Sequence, residues 1–284
     1  MDAAVGNSSD GPVGPSEIRF EDRAVLRRFR SWRRFHYGPR RAALPLLADL
    51  HRYPDAVLVA GCQRSGTTML TRIIANSDGF RGLALTKDDE LDAALVLSGN
   101  VQLPKSGRYC FQTTYLNERV DEYTALSPRH RLIWVLRNPY SVVHSMIYNW
   151  RRFALNELYE ACGVARAETS RQKRSSLPWP FGPSLIEKAC LSYAAKTAQI
   201  REISALLPRE QLMIVDYDVL VESPHDCLPR VFAFIGREYD PTYAQGVKTS
   251  SLGKAQNMRA DHRDIVERVA RPVYESCRQL VVCD

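Results

Sequence analysis

Four short apolar segments stand out along the chain, at 56–60, 108–112, 132–136 and 212–215, and read as core strands. Between and after them, apolar residues recur at helical spacing. The pattern predicts helices over 67–76 (through Met69, Leu70, Ile73 and Ile74), 88–97 and 116–126. A further helix starts with Asn138 as N-cap and Pro139 at its first position. Others cover 184–207 before Pro208, 223–235 from Ser223-Pro224 to Gly236, and 264–280. Short strands alternating with helices predict a parallel sheet covered on both faces. In such sheets ligands bind beyond the carboxyl ends of the strands. The segment 153–183 breaks the pattern: it is polar, carries Arg166, Arg171, Lys173 and Arg174, and finishes Leu-Pro-Trp-Pro-Phe-Gly-Pro. It reads as a short helix plus a long loop, a candidate lid or acceptor-binding insertion.

Composition narrows the class. With 284 residues, 45% hydrophobic and 25% charged, the chain is long enough for one α/β domain with a substantial core. No apolar run approaches the roughly 20 residues of a membrane helix. Residues 1–17 are mostly small and polar and read as a disordered tail without a signal core. Residues 18–55 form a basic segment, and 56–284 the α/β domain. Seven scattered cysteines with no C-x-x-C pair argue against a disulfide framework and against a zinc site, and a reducing cytoplasm is the expected setting. The net charge is +7, and ten arginines against three acids between Arg19 and Arg52 account for it. Those arginines are either the solvated face of a helix packed through Leu26, Phe29, Trp32 and Phe35, or a docking surface for an acidic partner, an anionic acceptor or a membrane.

The candidate chemistry begins where the first strand runs into Gly61-Cys62-Gln63-Arg64-Ser65-Gly66-Thr67-Thr68. A strand, a tight loop and a helix start make an anion cradle, because backbone N–H groups and the helix dipole both favour negative charge there. Gly61 and Gly66 have the Walker A spacing, but Thr67-Thr68 stands where Lys-Ser/Thr would follow, and the cation is Arg64 inside the loop. The loop suits a phosphate-type anion better than ATP with magnesium. The third strand ends at Arg137, again before a capped helix, and Ser145 lies eight residues on, about two helical turns. Two anion sites in one sheet suit a nucleotide with phosphates at both ends.

At these residues the chain resembles the sulfotransferase family, whose donor is 3′-phosphoadenosine-5′-phosphosulfate. Gln63 to Thr68 is similar to that family's 5′-phosphosulfate loop, with Arg64 where many members carry lysine. Arg137 and Ser145 match its 3′-phosphate pair. Val215-Asp216-Tyr217-Asp218-Val219-Leu220 is similar to its V-x-Y-E-D-L segment, which implies that Tyr217 lies near adenine. Leu252-Gly253-Lys254 resembles its C-terminal glycine-lysine loop, which implies a 3′-phosphate contact from Lys254. The ordered match runs from about residue 56 to 257. It implies a P-loop-type three-layer α/β sandwich with a short central parallel sheet flanked by helices. It departs at Gln112-Thr113-Thr114, where many members have Lys-Thr-Pro.

The resemblance implies sulfonate transfer to a hydroxyl or amine of a small-molecule or carbohydrate acceptor, without a metal and without nucleic acid as partner. Arg64, Ser65, Gly66, Thr67 and Thr68 would hold the 5′ end, and Arg64 would offset charge on the bridging oxygen. For the general base, Asp88 and Glu90 share a face if their segment is extended. Asp88 reads equally well as an N-cap, with Asp89 and Glu90 on the first helical turn. His144 reads as packing or support, His130 as a loop residue and Cys62 as a small packed side chain. The alternatives are a P-loop kinase using ATP, and a non-catalytic nucleotide-binding scaffold acting through the basic segment.

Overall fold

The computed structural model describes residues 11–40, 44–249 and 253–281. The four apolar runs form strands β1 (Val57–Gly61), β2 (Cys110–Gln112), β3 (Arg131–Leu136) and β4 (Leu212–Asp216) of one parallel sheet, ordered β2-β1-β3-β4. Val57 pairs with Cys110 on one side and Arg131 on the other, and β3 continues into β4 from Leu132↔Leu212 to Leu136↔Asp216. Every residue of β1 and β4 is buried, as a parallel sheet covered on both faces requires.

Alternation along the strands divides the core into two layers. Leu58, Ala60, Phe111, Leu132, Trp134 and Ile214 face one layer, and Val57, Val59, Ile133, Val135, Met213 and Val215 the other. On the second face lie α3 (Thr67–Ala75), α9 (Tyr217–Glu222) and α10 (Pro224–Phe234), through Leu70, Ile74, Leu220, Val231 and Phe232. On the first lie α4 (Asp89–Leu97), α5 (Pro139–Tyr148), α6 (Arg152–Ala161) and the long α8 (Leu185–Leu206). The short α7 (Ser170–Lys173) precedes α8. The N-terminal α1 (Phe20–Arg28) and α2 (Trp32–Phe35) join the first layer too: Leu26, Phe29 and Phe35 are buried there and Trp32 packs against it, while Arg27, Arg28, Arg30, Arg33 and Arg34 are exposed. No helix among the described residues is long and apolar enough to cross a membrane.

The order β2-β1-β3-β4 sends the chain left after β1 and right after β3. Helix α3 leaves β1 on one face and α5 leaves β3 on the other, so the crevice between them opens at the carboxyl ends of two adjacent strands, the switch point where α/β sheets bind ligands.

Three expectations are corrected. Of the 1–17 tail, 1–10 lie outside the described residues, but Val13 is buried, bridges Leu83 and exchanges backbone hydrogen bonds with Gly82 and Ala84. The helix expected over 116–126 is a 3-10 helix, Val120–Ala125, because its side chains serve a distant backbone: Glu122 accepts from Leu46 N and Leu47 N at 2.6 and 2.7 Å, and Arg119 donates to Leu44 O. The last helix breaks at Ala270 into α11 (Ala260–Val269) and α12 (Arg271–Arg278), since Pro272 cannot donate to the preceding turn. His130 is a loop residue, as expected, and is buried there; its Nε2 lies 3.1 Å from Tyr53 O and its Nδ1 accepts from Ser127 N.

Candidate active site

The loop after β1 is shaped by three unusual backbone positions. Gly66 has φ +93°, and a Cβ there would fall 2.0 Å from Cε2 of Tyr217. The loop can therefore pass under the Tyr217 ring only as glycine. Gly61 has φ +149° and a Cβ on it would strike Val135 O at 2.6 Å. Arg64 takes φ +72°, a left-handed conformation that a long side chain adopts only when its surroundings hold it.

Those surroundings are the end of β3. Arg137, 5% exposed, donates from Nη1 to Arg64 O at 3.2 Å, lies over the Tyr217 ring at 4.2 Å and approaches Asp218 at 3.9 Å. Its own carbonyl accepts from Tyr193 Oη at 2.7 Å. Arg64 turns its Nε to Ser145 Oγ at 3.0 Å. Asn138 caps α5 through Tyr140 N, and its N–H is held by Asp218, so the turn that aims Arg137 is fixed from both ends. Burial depresses both guanidiniums, and for Arg64 the charge of Arg137 adds to it. Two like charges are thus kept side by side in a partly dry crevice at the N-terminus of α3, an arrangement that an anion relieves.

A cavity of about 730 Å³ fills the crevice. Arg64, Gly66, Thr67 and Thr68 line it from the loop, Arg137 and Ser145 from β3 and α5, and Tyr217 from α9. Asp88 and Glu90 line the far wall with Lys87, Asp89 and Arg72. One expected position falls elsewhere, and one lies outside the described residues. The Ser65 hydroxyl is buried behind the loop without a partner and does not line the cavity, because the turn that exposes Arg64 points the next side chain inward. The Lys254 side chain lies outside the described residues; its neighbour Gly253 borders an adjoining cleft with Asn138 and Ser141.

The acids separate by their partners. Asp88 caps α4: its Oδ1 accepts from Glu90 N and Leu91 N at 3.1 and 3.2 Å, and burial still pushes its carboxyl above the usual range. Asp89 is held by Arg72 Nε and Nη2 at 2.7 and 3.2 Å. Glu90, one residue on, faces the cavity. The insertion 153–183, read as a lid, supplies none of the lining; Asn149 and Trp150 just before it do. Cys62 is buried, with its thiol pushed up by burial, in keeping with a packed side chain.

Several wall residues were not assigned to the site from the sequence. Gln112 accepts from Thr68 Oγ1 at 3.0 Å and donates to Thr67 Oγ1 at 3.2 Å, tying β2 to the first turn of α3. Its signal in the sequence was that it opens Gln112-Thr113-Thr114, the departure from the resembled pattern. Ser141 sits one turn before Ser145 on the same face of α5, a spacing legible in the sequence. His144 also reaches the wall, its ring 4.6 Å from that of Tyr148. Lys248 and Met69 carried no signal.

No curated protein matches the chain. Among solved structures, the sulfotransferase domain from the curacin biosynthetic pathway is 13% identical over 80% of this chain and 97% of its own, with a TM-score of 0.49. A sulfotransferase from Alicyclobacillus acidocaldarius is 14% identical over 81% and 96%, TM-score 0.48, and one from Mycobacterium avium 12% identical over 92% and 84%, TM-score 0.48. The family model of the sulfotransferase domain matches residues 54–268, from the residues before β1 to α11. On that match, which spans well over half of its length, the chain belongs to the sulfotransferase family.

Proposed function

We propose that this chain transfers a sulfonate group from 3′-phosphoadenosine-5′-phosphosulfate to a hydroxyl or amine of a small-molecule or carbohydrate acceptor. The observation that carries the reading is the pair Arg64 and Arg137, two guanidiniums from adjacent strand ends that line one cavity across the N-terminus of α3. The residues present suit such a donor. The cavity is of a size that holds a nucleotide. Arg64 with the amides of 65–68 takes the 5′ end, Arg137 and Ser145 the 3′-phosphate, and Tyr217 the neighbourhood of the base. Lys254 adds a 3′-phosphate contact from its loop.

When bound, the donor supplies an activated sulfur–oxygen bond. Arg64 and the loop amides stabilise the charge gathering on the departing phosphate oxygen. A carboxylate on the opposite wall, Asp88 or Glu90, takes the proton of the attacking hydroxyl or amine. Asp88 has a raised carboxyl and one oxygen outside the cap bonds; Glu90 lines the same cavity two residues on. We place the chain in the cytoplasm, because the six described cysteines are all free thiols and buried.

Calorimetry with adenosine 3′,5′-bisphosphate and with ATP plus magnesium tests the donor class. Tighter binding of ATP would sink this reading in favour of a kinase. Donor binding without turnover across an acceptor screen leaves the scaffold reading.

A further inference from the structure

The insertion 153–183 lines no part of the cavity, yet its loop presents three large apolar side chains to solvent: Leu177, Trp179 and Phe181, the last two 68% and 66% exposed. The loop is firmly built. Leu177 N donates to Arg174 O, Gly182 N to Pro178 O and Arg171 Nη1 to Gly182 O, at 3.1, 2.9 and 2.8 Å. Lys188 Nζ, on α8, bonds Ser175 O at 3.0 Å and Asn156 Oδ1 at 2.8 Å, fastening the loop to α6. A Cβ on Gly182 would fall 2.1 Å from Leu177 O, so the turn closes as tightly as the backbone allows. Clustered exposed aromatic rings on a braced loop mark an interaction site.

The charge around the loop says what kind. One residue beyond Asn156, Glu157 accepts from Trp32 Nε1 at 2.6 Å, so α2 lies across the same helix that anchors the loop. Arg33 stands over the Phe153 ring at 5.4 Å. Residues 30–41, 150–156 and 170–183 together hold ten arginines and lysines and no acid. Arg33, Arg34, Arg151, Arg152, Lys173 and Arg174 among them are exposed. Between these stretches Glu160 and Glu168 are exposed acids, so the surface is mixed but predominantly positive. A protruding aromatic wedge beside a predominantly positive surface is complementary to a lipid surface: rings settle at headgroup level, and each cation is drawn to anionic lipid.

We propose that the loop 175–183, with the arginines of α2 and of the start of α6, docks this chain on an anionic lipid bilayer. The proposal stands apart from the sulfonate-transfer reading, and its readout needs neither donor nor acceptor. It does bring the cavity to the headgroups, because Trp150 on the cavity wall precedes the exposed Arg151 and Arg152 directly.

The test is flotation of the full chain with vesicles of phosphatidylcholine alone and of phosphatidylcholine with phosphatidylglycerol. Binding is expected to the anionic vesicles only, falling as salt rises. Trp179→Ala with Phe181→Ala should weaken it about tenfold or more by removing the buried rings, and Arg33→Ala with Arg34→Ala about fivefold per cation. Circular-dichroism melts check that both variants fold. If the aromatic pair does not fold, the arginine pair, on a different helix, carries the test alone. Equal binding to neutral and anionic vesicles, unchanged binding by folded variants, or self-association through Trp179 in place of vesicle binding would overturn the proposal.

Discussion

Arg64 donates its Nε–H to Ser145 Oγ at 3.0 Å, joining the loop after β1 to the helix after β3 across 81 residues of sequence. With Arg137 donating to the Arg64 carbonyl, the two anion sites share one wall. They are adjacent, yet each keeps its own cation, and that division is testable. Arg137→Ala should weaken adenosine 3′,5′-bisphosphate by about 2 kcal/mol, roughly 30-fold, the worth of a charge-assisted bond in a dry site. Inorganic sulfate at the loop should be largely retained. Equal loss of both ligands in calorimetry shows a single undivided site. Ser145→Ala should cost about 1 kcal/mol and be non-additive with Arg64→Ala, because each removes the partner of the other.

Gly66 and Tyr217 make a second pair. A Cβ on Gly66 meets the Tyr217 ring at 2.0 Å, and φ is +93°. Gly66→Ala should therefore cost about 2 kcal/mol, part from the clash and part from the left-handed backbone. Tyr217 is buried, so Tyr217→Ala carries a cost of its own; in that background Gly66→Ala should lose the clash and cost only the backbone share, about 1 kcal/mol. Thermal melts of the two variants and their combination decide it through the double-mutant cycle; a Gly66→Ala cost unchanged in the Tyr217→Ala background places that cost elsewhere.

These pairs mark what could and could not be read in the sequence. The strands, the anion loop and the Arg137–Ser145 spacing are local signals, and they fall where expected because chain neighbours set them. Gln112 is different: it reaches Thr67 and Thr68 only because β2 pairs beside β1. Lys248 and Trp150 reach the wall by the same long-range folding. The stretch from Leu116 to Leu126 has helical periodicity, but its side chains are committed to the backbone of 44–47, and tertiary contact overrides propensity. Pro272 did announce the break in the last helix, and the apolar period masked it.

The choice between Asp88 and Glu90 as base has a clean test, since Asn caps a helix about as well as Asp. Asp88→Asn should leave the melting temperature nearly unchanged. With labelled donor bound in single turnover, the variant that removes the base should slow transfer by about 10²- to 10⁴-fold. If Asp88 is the base, the wild-type rate rises as pH climbs past its raised carboxyl value, because the charged form accepts the proton. Wild-type rates in both Asp88→Asn and Glu90→Gln exclude these carboxylates and turn attention to His144 on the neighbouring wall.

The bracing of the insertion predicts a pH dependence of stability. Glu187 accepts from Ser184 N and Oγ at 2.9 and 2.8 Å and from Arg171 Nη1 at 3.0 Å, so one carboxylate caps α8 and anchors the segment before it. Burial alone would raise it, but the hydrogen bonds from Arg171 and Ser184 outweigh that and bring it from 4.5 to about 2. A carboxylate depressed in the folded state stabilises fully above its unfolded value and loses that contribution as pH falls through the folded one. Glu187→Gln keeps the capping geometry and removes the charge. The variant should be less stable by about 1–2 kcal/mol at neutral pH, after discounting for solvent screening. The gap should narrow below pH 4.5 and close near pH 2. Denaturant melts of both proteins across that range measure it; a gap independent of pH would assign Glu187 a packing role and leave the insertion braced by Lys188.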